Sequence, residues 1–212
     1  KVFGAKNLPE AFLALENLDS FTSKQDWDAF PKNAEIPKYA VDVDGVLFAK
    51  VSADEDVSLV KGQAFLIRAM QVAAAGGHNL LAFGPPGCGK TLSLQRFSSL
   101  MPLLTLEEAQ SVTRIYSIAG LLSAESPVVR RAPFRSPHQT ASIEGICGGG
   151  AKCTPGEISL AHNGVLFLDE AAEFKTSVLQ MLRVPLESGK ITLSRAGRTT
   201  TFPADFQLLL AT

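Results

Sequence analysis

The densest concentration of chemistry in the chain is Gly84-Pro-Pro-Gly-Cys-Gly-Lys-Thr91: a glycine, a short spacer, then Gly-Lys-Thr. This is the Walker A spacing, and each residue type has a use at its place. Glycines let the backbone turn so that successive N–H groups face one point and bind phosphate oxygens, and a following helix start adds a favourable dipole. Lys90 would reach the β- and γ-phosphates of a nucleoside triphosphate, and the Thr91 hydroxyl would ligate Mg²⁺. Gly84, Pro85, Pro86, Gly87, Cys88, Gly89, Lys90 and Thr91 are therefore the candidate cofactor-binding residues, with ATP and Mg²⁺ as the cofactors. A second group, Gly164-Val-Leu-Phe-Leu-Asp-Glu170, is an apolar run ending in two carboxylates, the form of a Walker B. There Asp169 would join the Mg²⁺ shell and Glu170 would polarise an attacking water. Such a run is a weak sign alone and a strong one downstream of a Walker A. Lys90 and Glu170 are the candidate catalytic residues; Thr91 and Asp169 are the candidate metal ligands.

These groups need elements that bring them together. Residues 79–83 read as a buried strand and residues 92–100 as a helix, which gives the strand, loop and helix order the first motif requires. Two parallel strands carrying the motifs at their C-terminal ends would place a ligand beyond the carboxyl edge of a sheet. The fold class is then α/β, a P-loop NTPase core with a parallel sheet between helices. Around it, residues 59–75 read as a helix stopped at Gly76-Gly77, and Thr105-Leu-Glu-Glu108 reads as a capping box opening a helix toward Ser117. Residues 127–162 are irregular and rich in glycine, proline, arginine and serine; a long loop of that kind is usually functional or holds small hairpins. Residues 171–186 read as a helix with Val178, Leu179, Met181 and Leu182 on its apolar face, bent or ended near Pro185. Residues 190–195 and 198–202 are β-prone arms around Ala196-Gly197, a hairpin signal, and residues 205–212 form a last strand. Arg195 and Arg198 flank the hairpin tip, where they are either solvated turn residues or contacts of a substrate loop.

Composition narrows the class. The chain has 212 residues, 46% of them hydrophobic, and a net charge of −1. No apolar stretch reaches the ~18 residues of a membrane span, so a soluble globular protein without a membrane partner is expected. The charge supplies no global field for a polyanion, which leaves local basic clusters to do so. Cys88, Cys147 and Cys153 are an odd count without paired zinc spacing, which points to free thiols and a cytoplasmic setting. His78, His138 and His162 form no metal-ligand motif and read as packing or hydrogen-bonding residues. The organisation expected is an N-terminal helix and linker over 1–55 and a nucleotide-binding core over 56–212. Within the former, residues 7–18 read as a short amphipathic helix and residues 19–38 as a polar linker. Residues 41–48 have two readings. Their Asp-x-Asp-Gly resembles the nucleophile motif of haloacid-dehalogenase-type phosphatases; the other reading is a small hairpin turning at Asp44-Gly45. The rest of the chain is occupied by the nucleotide-binding core and leaves no room for a phosphatase domain, which favours the hairpin.

An ordered series of segments goes further. Val60-Lys-Gly-Gln63, Ala73-Ala-Ala-Gly-Gly-His-Asn79, the Walker A, Phe134-Arg-Ser-Pro-His-Gln-Thr140, Gly148-Gly-Gly150, Pro155-Gly-Glu-Ile-Ser-Leu-Ala-His-Asn-Gly164, the Walker B and Leu182-Arg-Val-Pro-Leu-Glu187 follow one another over most of residues 54–212. The series resembles AAA+ ATPases of the magnesium-chelatase-like class, in particular the ComM competence-helicase family. The resemblance implies a ring-forming ATPase, usually a hexamer of itself, with ATP between neighbouring subunits. It implies that residues 190–202 are a pre-sensor-1 hairpin and that residues 118–163 contain a helix-2 insertion. It implies ATP-driven branch migration with DNA as partner, contacted by Arg195 and Arg198 and also by Arg130, Arg131 and Arg135; the alternative is a chelatase-like motor subunit that remodels a protein partner. Leu59 and Val60 resemble the segment that lines the adenine pocket, and by periodicity alone read equally as helix core. The series also implies that the chain is a fragment, ending at Thr212 before the sensor-1 asparagine, arginine finger and helical lid, so that hydrolysis by it alone is slow or absent. A fifth strand would be missing as well, leaving residues 80–83 as a sheet edge.

Overall fold

The computed structural model describes residues 39–123, 127–150, 153–195 and 198–212; the helix and linker expected over 7–38 lie outside the described residues. The first described elements, β1 (Ala40–Val43) and β2 (Val46–Ala49), pair antiparallel with Val43 opposite Val46. Asp44 and Gly45 take φ of 52° and 84°, the left-handed pair that a two-residue hairpin turn demands. Asp42 Oδ1 accepts the Gly45 N–H at 2.8 Å, so the first carboxylate of Asp-x-Asp-Gly serves the turn. The Leu103 N–H donates to the Leu47 carbonyl and docks the hairpin on the core.

Helix α1 runs over Ala64–Gly76, later than expected, because Gly62 at φ 79° breaks the chain and leaves Val57–Leu59 as a separate 3-10 turn. Strand β3 is Leu80–Ala82, and α2 is only Lys90–Leu94, followed by a 3-10 turn at Phe97–Leu100. The expected single helix over 92–100 is cut short where side chains take helix carbonyls: Ser93 donates to Gly89 O, Arg96 to Leu92 O and Ser99 to Arg96 O. Helix α3 (Leu106–Ile118) begins with the capping box in full, Thr105 and Glu108 each bonding the other's backbone.

The irregular stretch holds β4 (Phe134–Arg135), α4 (Ile143–Cys147), the short pair β5 (Gly148–Gly149) and β6 (Thr154–Pro155), and α5 (Glu157–Leu160). Strand β7 (Gly164–Leu168) follows. The helix expected over 171–186 is three pieces: a 3-10 turn at Ala171–Glu173, α6 (Thr176–Met181) and α7 (Arg183–Ser188). Pro185 sits in the first turn of α7, where its missing N–H leaves no bond unmade. Strands β8 (Lys190–Arg195) and β9 (Arg198–Pro203) form the hairpin, and β10 (Phe206–Ala211) ends the fold.

The central sheet has the order β3-β10-β7-β4, and every pairing is parallel. The α/β architecture read from the sequence is the one observed. All five residues of β7 are buried, because both faces are covered. Val165 and Phe167 meet Met70, Leu94, Phe97 and Leu209 on one face; Leu166 and Leu168 meet Ile146, Ile158, Val178 and Phe206 on the other. Strand β10 alternates in step, Leu209 and Ala211 to the first cluster and Phe206 and Leu208 to the second. Strand β3 is the edge beside the Walker A loop. Ala82 O and Gly84 N bond Thr212, while the Leu81 and Phe83 side chains are 59% and 86% exposed.

Candidate functional site

Because the sheet is parallel, the C-terminal ends of β3, β7 and β10 lie along one edge. The loop 84–89 leaves β3 there, Asp169 and Glu170 leave β7, and Thr212 leaves β10. Gly84, Pro86, Gly87, Cys88, Gly89, Lys90, Thr91, Asp169, Glu170 and Thr212 line one cavity of about 420 Å³. Loop and carboxylates, far apart in sequence, share it.

The loop's shape follows from its sequence. Gly87 and Gly89 adopt φ of 78° and 85°, which a residue with a Cβ rarely tolerates. Lys90 Nζ donates to the carbonyls of Gly84 at 2.6 Å and Pro85 at 2.8 Å, and lies 3.6 Å from Cys88 Sγ. Those two carbonyls belong to peptide units whose nitrogens are Pro85 and Pro86, so after Gly84, whose N–H goes to Thr212, the next amide donor of the loop is that of Gly87. Among the described residues the N–H groups of Gly87, Cys88, Gly89, Lys90 and Thr91 donate to no protein acceptor. Consecutive unpaired donors next to a lysine are the groups an oxyanion needs.

Thr91 Oγ1 donates to Asp169 Oδ1 at 2.9 Å, joining the two motifs directly. A hydroxyl and a carboxylate oxygen converging from separate elements are a fitting partial shell for Mg²⁺, which takes a few protein oxygens and completes its octahedron with phosphates and water. Glu170 is exposed and sits at φ 51°, ψ 51°, a left-handed conformation unusual outside glycine. Its N–H donates to Asp169 Oδ1 at 3.1 Å, and its carbonyl accepts the Glu173 N–H that closes the following turn. Glu170 also borders a second cavity of about 430 Å³ with Gln139, Ala172, Glu173 and Thr212.

Leu59 and Val60 stand in and just after the 3-10 turn before α1; Leu59 is half exposed, Val60 is partly covered, and neither lines the loop's cavity. Their segment nevertheless reaches the loop, since Gln63 Nε2 donates to the Cys88 carbonyl at 2.7 Å. Sequence reasoning missed that contact, and nothing in the spacing of a glutamine signals it. Arg195 and Arg198 are paired directly across the hairpin next to its tip. Arg135 departs from expectation. Its guanidinium forms a two-pronged pair with Glu157 at 2.6 and 2.7 Å, and the bond to Glu157 holds the guanidinium charged and tied to α5. Arg131 donates to the Lys50 carbonyl and pairs loosely with Glu55, which leaves Arg130 exposed at the surface.

The histidines are placed by their bonds. His162 is buried; Nδ1 accepts the Asp205 N–H at 3.2 Å and Nε2 lies 3.0 Å from Ser111 Oγ. Nδ1 therefore carries no proton, and burial pushes the pKa of the ring down. His138 bonds Thr140, and His78 is exposed. The three cysteines are free thiols, and burial raises the pKa of Cys147.

The family model described as magnesium chelatase, subunit ChlI, matches residues 56–212. The uncharacterized protein YifB of Escherichia coli is 51% identical over 156 residues, 74% of this chain and 31% of YifB. The competence protein ComM of Haemophilus influenzae is 48% identical over 158 residues, 74% of this chain and 30% of ComM. The chain thus spans under a third of the length of these relatives. Among solved structures, the complex of magnesium chelatase subunits BchI and BchD aligns at 21% identity and TM-score 0.48, over 76% of this chain and 52% of that one.

Proposed function

We propose, for a chain that belongs to the magnesium chelatase subunit ChlI family, that it is the ATP-binding core of a ring-forming AAA+ ATPase of the ComM type, which remodels DNA by branch migration in the cytoplasm. One observation carries the nucleotide part: the five consecutive residues 87–91, whose N–H groups have no acceptor among the described residues, line one cavity at the carboxyl edge of the sheet with Asp169, to which Thr91 is bonded. In this reading the loop amides and Lys90 bind the β- and γ-phosphates, and Thr91 and Asp169 hold Mg²⁺. Bound there, Mg²⁺ neutralises charge on the phosphate oxygens. Glu170 takes the proton from the attacking water, and its backbone bond to Asp169 fixes where its side chain starts. Leu59 and Val60 line the adenine side.

The DNA part rests on the similarity to ComM and on the cross-strand arginine pair of β8 and β9. Phosphate contacts from Arg195 and Arg198 make DNA binding fall with salt, and losing both lowers the slope of log affinity against log salt by about two. An unchanged slope in the Arg195→Ala, Arg198→Ala double variant sinks this assignment. A second reading, a motor subunit acting on a protein partner, is favoured by the family description itself and by 27% identity to the magnesium-chelatase 38 kDa subunit of Acidiphilium rubrum. An ATPase rate indifferent to DNA and raised by a co-purifying protein selects that reading. The hexameric ring belongs to the proposal in either case, and sedimentation of the ATP-bound protein tests it.

A further inference from the structure

We propose that Gln63 is a positioning residue for the phosphate loop, setting the direction of the Gly89 N–H through the carbonyl of Cys88; the idea rests on the nucleotide-binding reading above. The contact is direct, Nε2 to Cys88 O at 2.7 Å across 25 residues, and partly buried. It is also made at the expense of a local preference. Gln63 is the N-cap residue of α1, yet its side chain makes no capping bond there. Residues that serve a helix start are short oxygen acceptors, whereas this position carries a long amide that reaches away to the loop. A local rule broken with a specific long-range partner marks a functional constraint.

The consequence follows from peptide geometry. No peptide bond described is cis, and in a trans unit the C=O and the next N–H point in opposite directions. Anchoring Cys88 O on the Gln63 side sends the Gly89 N–H the other way. Without an anchor this unit is free to flip, because glycine accepts both signs of φ. A flipped unit presents a carbonyl oxygen where the phosphate needs a donor. Lys90 cannot replace the anchor, since its bonds go to Gly84 O and Pro85 O. Gln63 also carries the adenine-side segment, so one bond ties that segment to the phosphate cradle.

The test titrates the full 212-residue chain with fluorescent-labelled ATP and Mg²⁺. Gln63→Met keeps the side-chain length and removes the donor; its Kd rises about tenfold, the loss of one hydrogen bond that leaves its acceptor unpaired. Gln63→Glu sets a carboxylate against the Cys88 carbonyl at pH 8 and weakens binding at least as much. On acidification the protonated carboxyl regains an O–H donor, so its Kd relative to wild type at the same pH recovers. A purely structural role moves the melting temperature in proportion and shows no such recovery. Binding by Gln63→Met within twofold of wild type, or a Gln63→Glu ratio that stays flat with pH, overturns the proposal. If the wild type itself shows no saturable binding, the nucleotide reading falls first and this inference with it.

Discussion

Gly164→Ala is the substitution whose effect the structure fixes best. Gly164 opens β7, five residues before Asp169, and a Cβ built on it would lie 2.1 Å from Pro133 O, 2.7 Å from Pro133 N and 2.8 Å from Pro133 Cδ. All three atoms belong to backbone or to a rigid ring, so β4 must move bodily by more than an ångström. Pro133 O is also the acceptor of the Val165 N–H at 2.7 Å, and the next pair along, Phe134 with Val165, starts the β4–β7 ladder. Overpacking costs about 1–3 kcal/mol. Losing one buried backbone bond adds about 1–2 kcal/mol. A total of about 2–5 kcal/mol is a large part of the roughly 5–15 kcal/mol that holds a domain folded. At about 2–4 °C per kcal/mol for a domain of this size, Tm falls by roughly 5–20 °C, read by circular dichroism or calorimetry. A Tm within about 2 °C of wild type would falsify the close approach of β4 and β7.

His162 has a lowered pKa in the fold, so the unfolded chain takes up its proton first; its contribution is full above about pH 6.5 and is lost as pH falls from there through the lowered value. Urea titrations between pH 8 and 5 should show that decline, and a decline of equal slope in His162→Gln refutes the assignment. Where the proposed ATPase activity is assayed, Glu170→Gln keeps MgATP binding and loses about 10²–10⁴-fold in turnover, whereas an unchanged rate removes Glu170 from the chemistry. In the 212-residue chain the Leu81 and Phe83 amides, which turn away from β10, should exchange with solvent far faster than that of Phe167; equal protection means that something covers the edge.

Much of the site was legible in the sequence because it rests on local chemistry. Gly87, Gly89, Lys90 and Thr91 declare themselves by type and spacing, and the unbroken apolar run from Val165 to Leu168 fits a strand covered on both faces. The capping box at Thr105 and Glu108 and the turn at Asp44-Gly45 are equally local, and both formed as read. Helix lengths were less legible. Whether Ser93 and Ser99 return their hydroxyls to helix carbonyls, or Gly62 breaks a periodic run, depends on side-chain choices that hydrophobic periodicity does not record. Least legible were partners distant in sequence. The Arg135–Glu157 pair ties to α5 an arginine that the family resemblance implied as a DNA contact, and Gln63 reaches a loop that no motif connects it to.

The central claim is that the loop 84–91 and Asp169 make a working triphosphate site. Isothermal titration of the chain with MgATP, beside Lys90→Ala, tests it most directly. The account predicts saturable one-to-one binding by the wild type, stronger with Mg²⁺ than without, and its loss in Lys90→Ala at an unchanged Tm. Absence of binding by the folded wild type, or equal binding by both proteins, would contradict it.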